Sequence, residues 1–178
     1  MQLNPYGSDA VLLAAGLHRS LPRTPDELEA ICRHYDVVID RRATKADVRL
    51  VQSLVERWRE VVDAATDQER ADRLNVLLSE YAAYPRLSDH AGTGWHVHYR
   101  DPHVPLGRVV AALVTVGTTL HLAGRGMHRL GRCAADDCDQ VIVDVSRNGR
   151  QRYCSPTCSN RDAVRRHRAR RLETGAHR

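Results

Sequence analysis

The segments Cys133-Ala-Ala-Asp-Asp-Cys138 and Cys154-Ser-Pro-Thr-Cys158 contain four of the five cysteines in this 178-residue chain. Four residues lie within the first pair, three within the second, and fifteen between the pairs. Structural zinc sites are closed by four protein ligands, and two to four residues commonly separate the two ligands of a pair. An odd number of cysteines and no recognisable signal peptide favour a reducing, cytoplasmic location and metal binding over disulfides. The pattern predicts one structural zinc ion bound by Cys133, Cys138, Cys154 and Cys158.

The residues around the second cysteine pair predict a β-hairpin followed by a helix. Residues 139–145 are rich in β-branched side chains, Asn148-Gly149 favours a tight turn, and residues 151–153 are the predicted return strand. Ser155-Pro156 is typical of an N-cap and a first helical position, so a helix is predicted over residues 155–172. A loop, a hairpin and a helix start that share four thiolates form a treble-clef arrangement.

Positive charge is concentrated at the end of the chain. Residues 147–178 contain ten arginines and two acidic residues, a net charge of +8, whereas the whole chain carries only +5. Such asymmetry favours a polyanionic partner, nucleic acid first and an acidic membrane surface second. A helix with arginine on nearly every side must project into solvent, although a solubilising tail without a ligand remains an alternative. The predicted phosphate-binding residues are Arg147, Arg150, Arg152, Arg165, Arg166, Arg168, Arg170 and Arg171.

The preceding part of the chain predicts a helical domain built from Leu, Val and Ala. Apolar residues recur at steps of three and four, and Thr24-Pro25-Asp26-Glu27 is a typical helix start. The most apolar helix, residues 105–123, is predicted to lie at the centre of the core, and its apolar run is too short to span a membrane. Cys32 is predicted to be a buried apolar side chain. The predicted helices are residues 8–17 (capped by Ser8), 25–34, 45–65, 67–81 and 105–123.

A hairpin interrupts the helices, with residues 84–88 predicted to pair with residues 94–99 through the turn at residues 89–92. His96 and His98 then lie on one strand face. We interpret them as the solvent side of a strand whose Trp95, Val97 and Tyr99 enter the core. A shared metal or a ligand pocket at the two histidines remains the alternative.

The sequence from Cys158 to Arg161, Cys-Ser-Asn-Arg, resembles the CGNR zinc finger, which is named for a Cys-Gly-Asn-Arg motif. Residues 144–148 and 164–168 are also similar to that family, whereas Ser159 replaces the glycine of the motif. Members usually carry an amino-terminal helical domain called ABATE, described as a regulator of transcription under stress. The resemblance implies a helical ABATE-like domain at residues 1–127 and a zinc finger at residues 128–178. Together these features predict a mainly α (α+β) protein.

Asn160 and Arg161 follow a predicted metal ligand at a helix start, so we expect them to brace the zinc module rather than contact DNA. Asn160 would satisfy backbone groups. Arg161 would pair with Asp144 or with the zinc–thiolate charge.

The function implied by these features is DNA binding by a transcription regulator, with a small-molecule effector possible in the helical domain. An RNA-binding or protein-docking module is the alternative. No catalytic signature of the Ser-His-Asp, P-loop or dinucleotide type is present, and His167 beside the zinc helix is only faintly similar to metal-finger nucleases. The sequence therefore predicts a protein that is not an enzyme.

Overall fold

The computed structural model describes residues 7–89 and 94–175 and confirms the mainly α architecture. Two two-stranded antiparallel sheets accompany the helices, β1 with β2 and β3 with β4. Residues 1–6 of the predicted helical domain, residues 176–178 of the predicted zinc finger and residues 90–92 of the predicted turn lie outside the described residues. The elements are α1 Ser8–Arg19, α2 Pro25–His34, α3 Lys45–Val62, α4 Asp67–Tyr81, β1 Arg86–Ser88, β2 His96–His98, α5 Leu106–Arg125, β3 Leu130–Arg132, β4 Val141–Val143 and α6 Pro156–Gly175.

Threonine side chains begin three of the helices. Thr24, Thr44 and Thr66 each accept a hydrogen bond from the backbone N–H three residues later, at 3.1–3.2 Å, which satisfies one unpaired donor of the first turn. Helix α1 begins differently, because Ser8 is its first residue and Gly7 lies before it with a φ of 61°. The predicted Ser8 cap is therefore wrong. A Cβ atom on Gly7 would lie 2.1 Å from the carbonyl oxygen of Gly117, so the close crossing of α1 and α5 requires glycine here.

Helix α5 is the central helix, as predicted, and packs against α1, α3 and α4. Its side chains are apolar on almost every side, including the fully buried Val110 and Ala111. The expectation that its apolar run is too short to span a membrane is wrong, because α5 is 20 residues long and apolar enough to do so by length and composition. Most of it is buried in the structure, however, as expected of a core helix. Thr118, also on α5, accepts a hydrogen bond from the indole N–H of buried Trp58 at 3.0 Å. Cys32 is fully buried in the same core, as predicted.

Asp47 joins the starts of α3 and α5. Its carboxylate accepts the backbone N–H of Thr44 at 2.8 Å, which completes a capping box, and the backbone N–H of Gly107 at 2.7 Å. A Cβ on Gly107 would lie 2.9 Å from Asp47 Cα, so glycine permits this approach. Although burial acts to raise the pKa of Asp47, the hydrogen bonds from Thr44 and Gly107 hold it below its usual value. Asp47 therefore stabilises the fold as a carboxylate.

Strand β4 joins the zinc module to the helical domain by using both of its faces. Val141 and Val143 belong to the main core, in which β4 packs on α1, whereas Ile142 packs against the cysteines. The predicted strand partner, residues 151–153, is wrong, because β4 pairs with β3 in the register Leu130↔Val143 and Arg132↔Val141. The backbone groups of the expected return strand bind elsewhere: the Gln151 N–H donates to Asp144 at 2.9 Å, and the Arg152 carbonyl accepts from the Ala134 N–H at 2.8 Å. The treble-clef arrangement therefore stays a prediction.

The β1–β2 pairing is confirmed, but the predicted orientation of its side chains is wrong. Trp95 is 72% exposed and Val97 is 39% exposed, and Leu87, the cross-strand partner of Val97, is exposed as well. Tyr99, His96 and His98 are half-buried. An alternating sequence predicts which side chains share a face, but not which face meets the core.

We expect Asp47→Ala to lower the free energy of unfolding by about 2–4 kcal/mol at pH 7, because it removes two charge-assisted hydrogen bonds from backbone N–H groups, one of which completes the capping box of α3. Urea denaturation followed by circular dichroism would measure the loss, and Asp67→Ala, an exposed first-turn aspartate of α4, is the control. Since the pKa of folded Asp47 is lowered, its contribution is present above the unfolded pKa of about 3.9 and lost as pH falls through the folded value. An equal effect of both substitutions would contradict this role.

Candidate metal centre and nucleic-acid interface

The four predicted zinc ligands come together at one point. The Sγ atoms of Cys133, Cys138, Cys154 and Cys158 all lie within 4.8 Å of one another. The Cys138–Cys154 and Cys154–Cys158 Sγ distances are both 3.6 Å. Four thiolates around zinc at about 2.3 Å form a tetrahedron with edges of about 3.8 Å, so the cluster fits one zinc ion. All four ligands are cysteines and leave no position for substrate water, which makes the site structural.

Hydrogen bonds from outside the cluster orient the sulfur atoms. The backbone N–H of Cys154 donates to Cys133 Sγ at 3.4 Å, and the Arg161 guanidinium donates to Cys158 Sγ at 3.5 Å. Ser155 accepts the Cys158 N–H at 3.2 Å, so it caps α6 as predicted and fixes Cys158 in the first turn. Burial, followed by the neighbouring cysteines, raises the pKa of the Cys154 thiol to about 12. Four thiolates therefore need a cation to coexist at neutral pH.

Asp144 braces the zinc module, but not through the predicted partner. Its buried carboxylate accepts the backbone N–H groups of Ser146 and Gln151, each at 2.9 Å, and lies 3.6 Å from Arg129. Although burial acts to raise its pKa, the hydrogen bonds from Ser146 and Gln151 lower it. The predicted Asp144–Arg161 pair is wrong, because Asp144 closes its own turn. Arg161 makes the alternative contact, with the sulfur of Cys158.

Acidic residues fix the beginning of α6 to the segment between the first two cysteines, which we call the metal loop (residues 134–137). Arg161 pairs with Asp137 of this loop at 2.9 Å, and Arg165 pairs with Asp136. Within α6, buried Asp162 pairs with Arg165 at 2.7 Å and with Arg166 at 2.9 Å. The guanidinium groups of Arg165 and Arg166 therefore already form ion pairs within the protein.

The remaining predicted phosphate-binding residues lie on the surface. From Ala163 to Arg171, every described side chain of α6 is exposed. Asn160 is exposed as well and makes no side-chain hydrogen bond within the described parts of the chain, so no contact supports its predicted bracing role. The exposed arginines are Arg147, Arg150 and Arg152, which lie between the two cysteine pairs in the sequence, and Arg168, Arg170 and Arg171 on α6.

Sequence reasoning missed the residues that attach the module to the helical domain. Arg132 makes a bidentate pair with Asp63 at the end of α3, both distances being 2.6 Å. Buried Arg70 of α4 donates to the carbonyls of Val61 and Val62 and to that of Met127, which precedes β3. No local pattern indicates such long-range pairs. In contrast, two aspartates within a cysteine pair and an arginine-rich helix could have suggested the ion pairs of the metal loop.

The helical domain also has an open groove of about 760 Å³ between α1 and α2. Apolar Leu21, Pro22 and Ile31 line it beside polar Gln52 and Glu27.

A helical domain joined to a closed four-cysteine site places this chain among the zinc-finger proteins. Residues 129–171 match the CGNR zinc finger, and residues 14–136 match the ABATE family, whose description is "Putative stress-induced transcription regulator". Because the second match covers more than half of the chain, the protein belongs to the ABATE family. Both predicted resemblances are thereby confirmed. No curated protein matches the chain.

Replacement of one zinc ligand tests the metal centre. We expect one zinc ion per wild-type chain by metal analysis, and loss of that zinc in Cys154→Ser. Cys32→Ala, which removes the cysteine buried in the helical core, should retain it. A strong chelator should abolish hydrogen-exchange protection and helical signal in α6, because four-cysteine sites contribute about 10–16 kcal/mol to the folding of small zinc peptides. A circular-dichroism spectrum that does not change on chelation would contradict this prediction.

Proposed function

We propose that this protein is a cytoplasmic DNA-binding transcription regulator whose zinc site positions an arginine-rich helix on DNA. The observation that carries the proposal is the exposure of every described side chain of α6 beyond Asp162. Packing does not account for a helical segment whose described side chains are all exposed, and its guanidinium groups match phosphate oxygens in bidentate geometry. The description of the ABATE family supports a role in transcription.

Phosphate binding is assigned to two groups of arginines that flank the cysteine cluster. Arg168, Arg170 and Arg171 lie on the projecting part of α6, and Arg147 and Arg150 lie on the turn that Asp144 closes. Arg165 and Arg166 would exchange part of their pairing with Asp162 for phosphate. Because charge of one sign on adjacent elements raises the local concentration of a polyanion, affinity should depend strongly on salt.

Base contacts are assigned to the side of α6 that carries Thr157, Asn160 and Val164. These positions recur at steps of three and four, so they form one helix face, and all three side chains are exposed. An asparagine amide can bind an adenine edge bidentately, and an apolar side chain can contact the thymine methyl group in the major groove. The proposal thus assigns Asn160 a contact with a DNA base instead of the bracing role expected from the sequence.

The salt dependence of binding tests the phosphate contacts. If about six arginines bind phosphates, the slope of log K against log salt should be near −5, and replacing Arg165, Arg166 and Arg168 with Ala should reduce it to about −3. Fluorescence anisotropy on zinc-loaded protein and a 20-base-pair duplex would measure both slopes. The control replaces three exposed arginines of the helical domain, Arg19, Arg23 and Arg49, with Ala. An affinity that does not change with salt concentration would refute the proposal. An equal reduction of the salt slope in the two triple variants would refute it as well.

Selection of bound DNA from a random pool tests the base contacts. We expect Asn160→Ala to lower the preference for the selected site over random DNA by roughly tenfold, since one bidentate base contact is lost. Affinity for random DNA and the salt slope should remain unchanged. Asn75→Ala, an exposed asparagine of α4, is the control. A parallel loss of specific and random binding would assign Asn160 to structure instead.

Two further experiments separate the alternatives. Competition with structured RNA of equal length tests the RNA-binding alternative, which would be favoured if the RNA displaced duplex DNA. We also propose that the protein is not an enzyme. Metal-dependent nicking of plasmid DNA that disappears in His167→Ala would contradict this. An effector, where one exists, is proposed to bind in the groove between α1 and α2.

A further inference from the structure

The β1–β2 hairpin brings two imidazole rings into direct contact. His96 and His98 are alternate residues of β2, so they share one face of the strand. Their Nε2 atoms are 2.9 Å apart, and both residues are half-buried although Trp95 and Val97 beside them are exposed. The interpretation of the two histidines as an ordinary solvent-facing row does not explain this contact.

One ring is held in the tautomer that suits a metal ligand. His96 Nδ1 lies 2.7 Å from the carbonyl oxygen of Gly94, an acceptor, so a neutral ring carries its proton on Nδ1 and a lone pair on Nε2. Histidines that bind metals commonly donate their second ring N–H to a carbonyl or carboxylate in this way. His98 would then donate its Nε2–H to His96, and a metal ion would replace that shared proton while the proton of His98 moves to Nδ1.

The two nitrogens are close enough to share one metal ion. With metal–nitrogen bonds of about 2.0–2.1 Å, two ligands are about 2.9 Å apart at a 90° angle and about 3.3–3.4 Å apart at a tetrahedral angle. The 2.9 Å between the rings is the length of their hydrogen bond, so at most a small movement of either ring reaches each of these values. Imidazole ligands suit Cu²⁺, Ni²⁺ and Zn²⁺, of which Cu²⁺ generally binds most tightly.

We propose that His96 and His98 form a second metal site, which binds a divalent transition-metal ion, Cu²⁺ before Ni²⁺, through their Nε2 atoms. The order follows the general affinity series for imidazole ligands. Among the described residues, the cysteine cluster is the one group that offers three or more metal ligands. The histidine pair thus differs from the zinc centre in ligand chemistry, with two imidazole nitrogens in place of four thiolates.

Copper titration of the zinc-loaded, full-length protein tests the site, with zinc content measured before and after and oxygen excluded to protect the cysteines. At one equivalent of Cu²⁺, electron paramagnetic resonance should show a tetragonal signal with hyperfine structure from two nitrogens. His96→Gln and His98→Gln should each weaken copper binding by at least about tenfold, because loss of a ligand should cost no less than loss of its outer-shell partner. Glutamine retains a hydrogen-bonding group, so the hairpin need not unfold.

The matched control is His34→Gln, which alters an exposed histidine of α2 whose ring contacts Tyr35. It should bind copper as the wild type does. The proposal is refuted if both hairpin variants bind copper as tightly as the wild type, or if copper binds only by displacing zinc. A wild-type signal with hyperfine structure from only one nitrogen, unchanged in either variant, would also refute the proposal. The two histidines would then form an ordinary hydrogen bond and no shared site. None of these outcomes depends on DNA binding.

Discussion

The closed four-thiolate site is the constraint on which the functional end of the molecule depends. Beyond Asp162, the described side chains of α6 are exposed, so burial of apolar surface cannot hold the helix in place. The ion pairs with Asp136 and Asp137 are exposed, and such pairs contribute about 0–1 kcal/mol each. A four-cysteine zinc site contributes about 10–16 kcal/mol in small peptides. The metal therefore dominates, and the ion pairs orient a helix that zinc has already fixed.

The zinc module also depends on the helical domain, because one core serves both. Leu130, Val141 and Val143 are buried in the same cluster as the side chains of α1 and α5, so the packing crosses the boundary predicted after residue 127. Arg132 of the module pairs with Asp63 at the end of α3. Arg70 of α4 donates to the Val61 and Val62 carbonyls at the same end and to the carbonyl of Met127, just before β3. The two family matches overlap at residues 129–136, which include β3. A movement of α1 or α3 would therefore reach the metal centre directly.

Local signals predicted much of this structure, and long-range pairs account for most of what the sequence could not predict. The Thr24 cap, the helix periods and the spacing of the four cysteines act within a few residues, and each was confirmed. The partner of β4 and the partner of Asp144 depend on which distant backbone groups remain unsatisfied after folding. The prediction that Trp95 enters the core was wrong for a related reason. Alternation defines two strand faces, but only the position of the hairpin on the core decides which face is buried.

The same carboxylates that orient α6 also limit its affinity for an anion. Asp136, Asp137 and Asp162 neutralise charge on Arg161, Arg165 and Arg166, so phosphate must compete with them there. Buried Asp162 also accepts the Tyr153 hydroxyl at 2.6 Å, which makes it a fixed part of the module. The gain from phosphate binding should therefore be greater farther along the helix, at exposed Arg168. This division gives the first turns of α6 a positioning role and leaves its projecting end for electrostatic attraction.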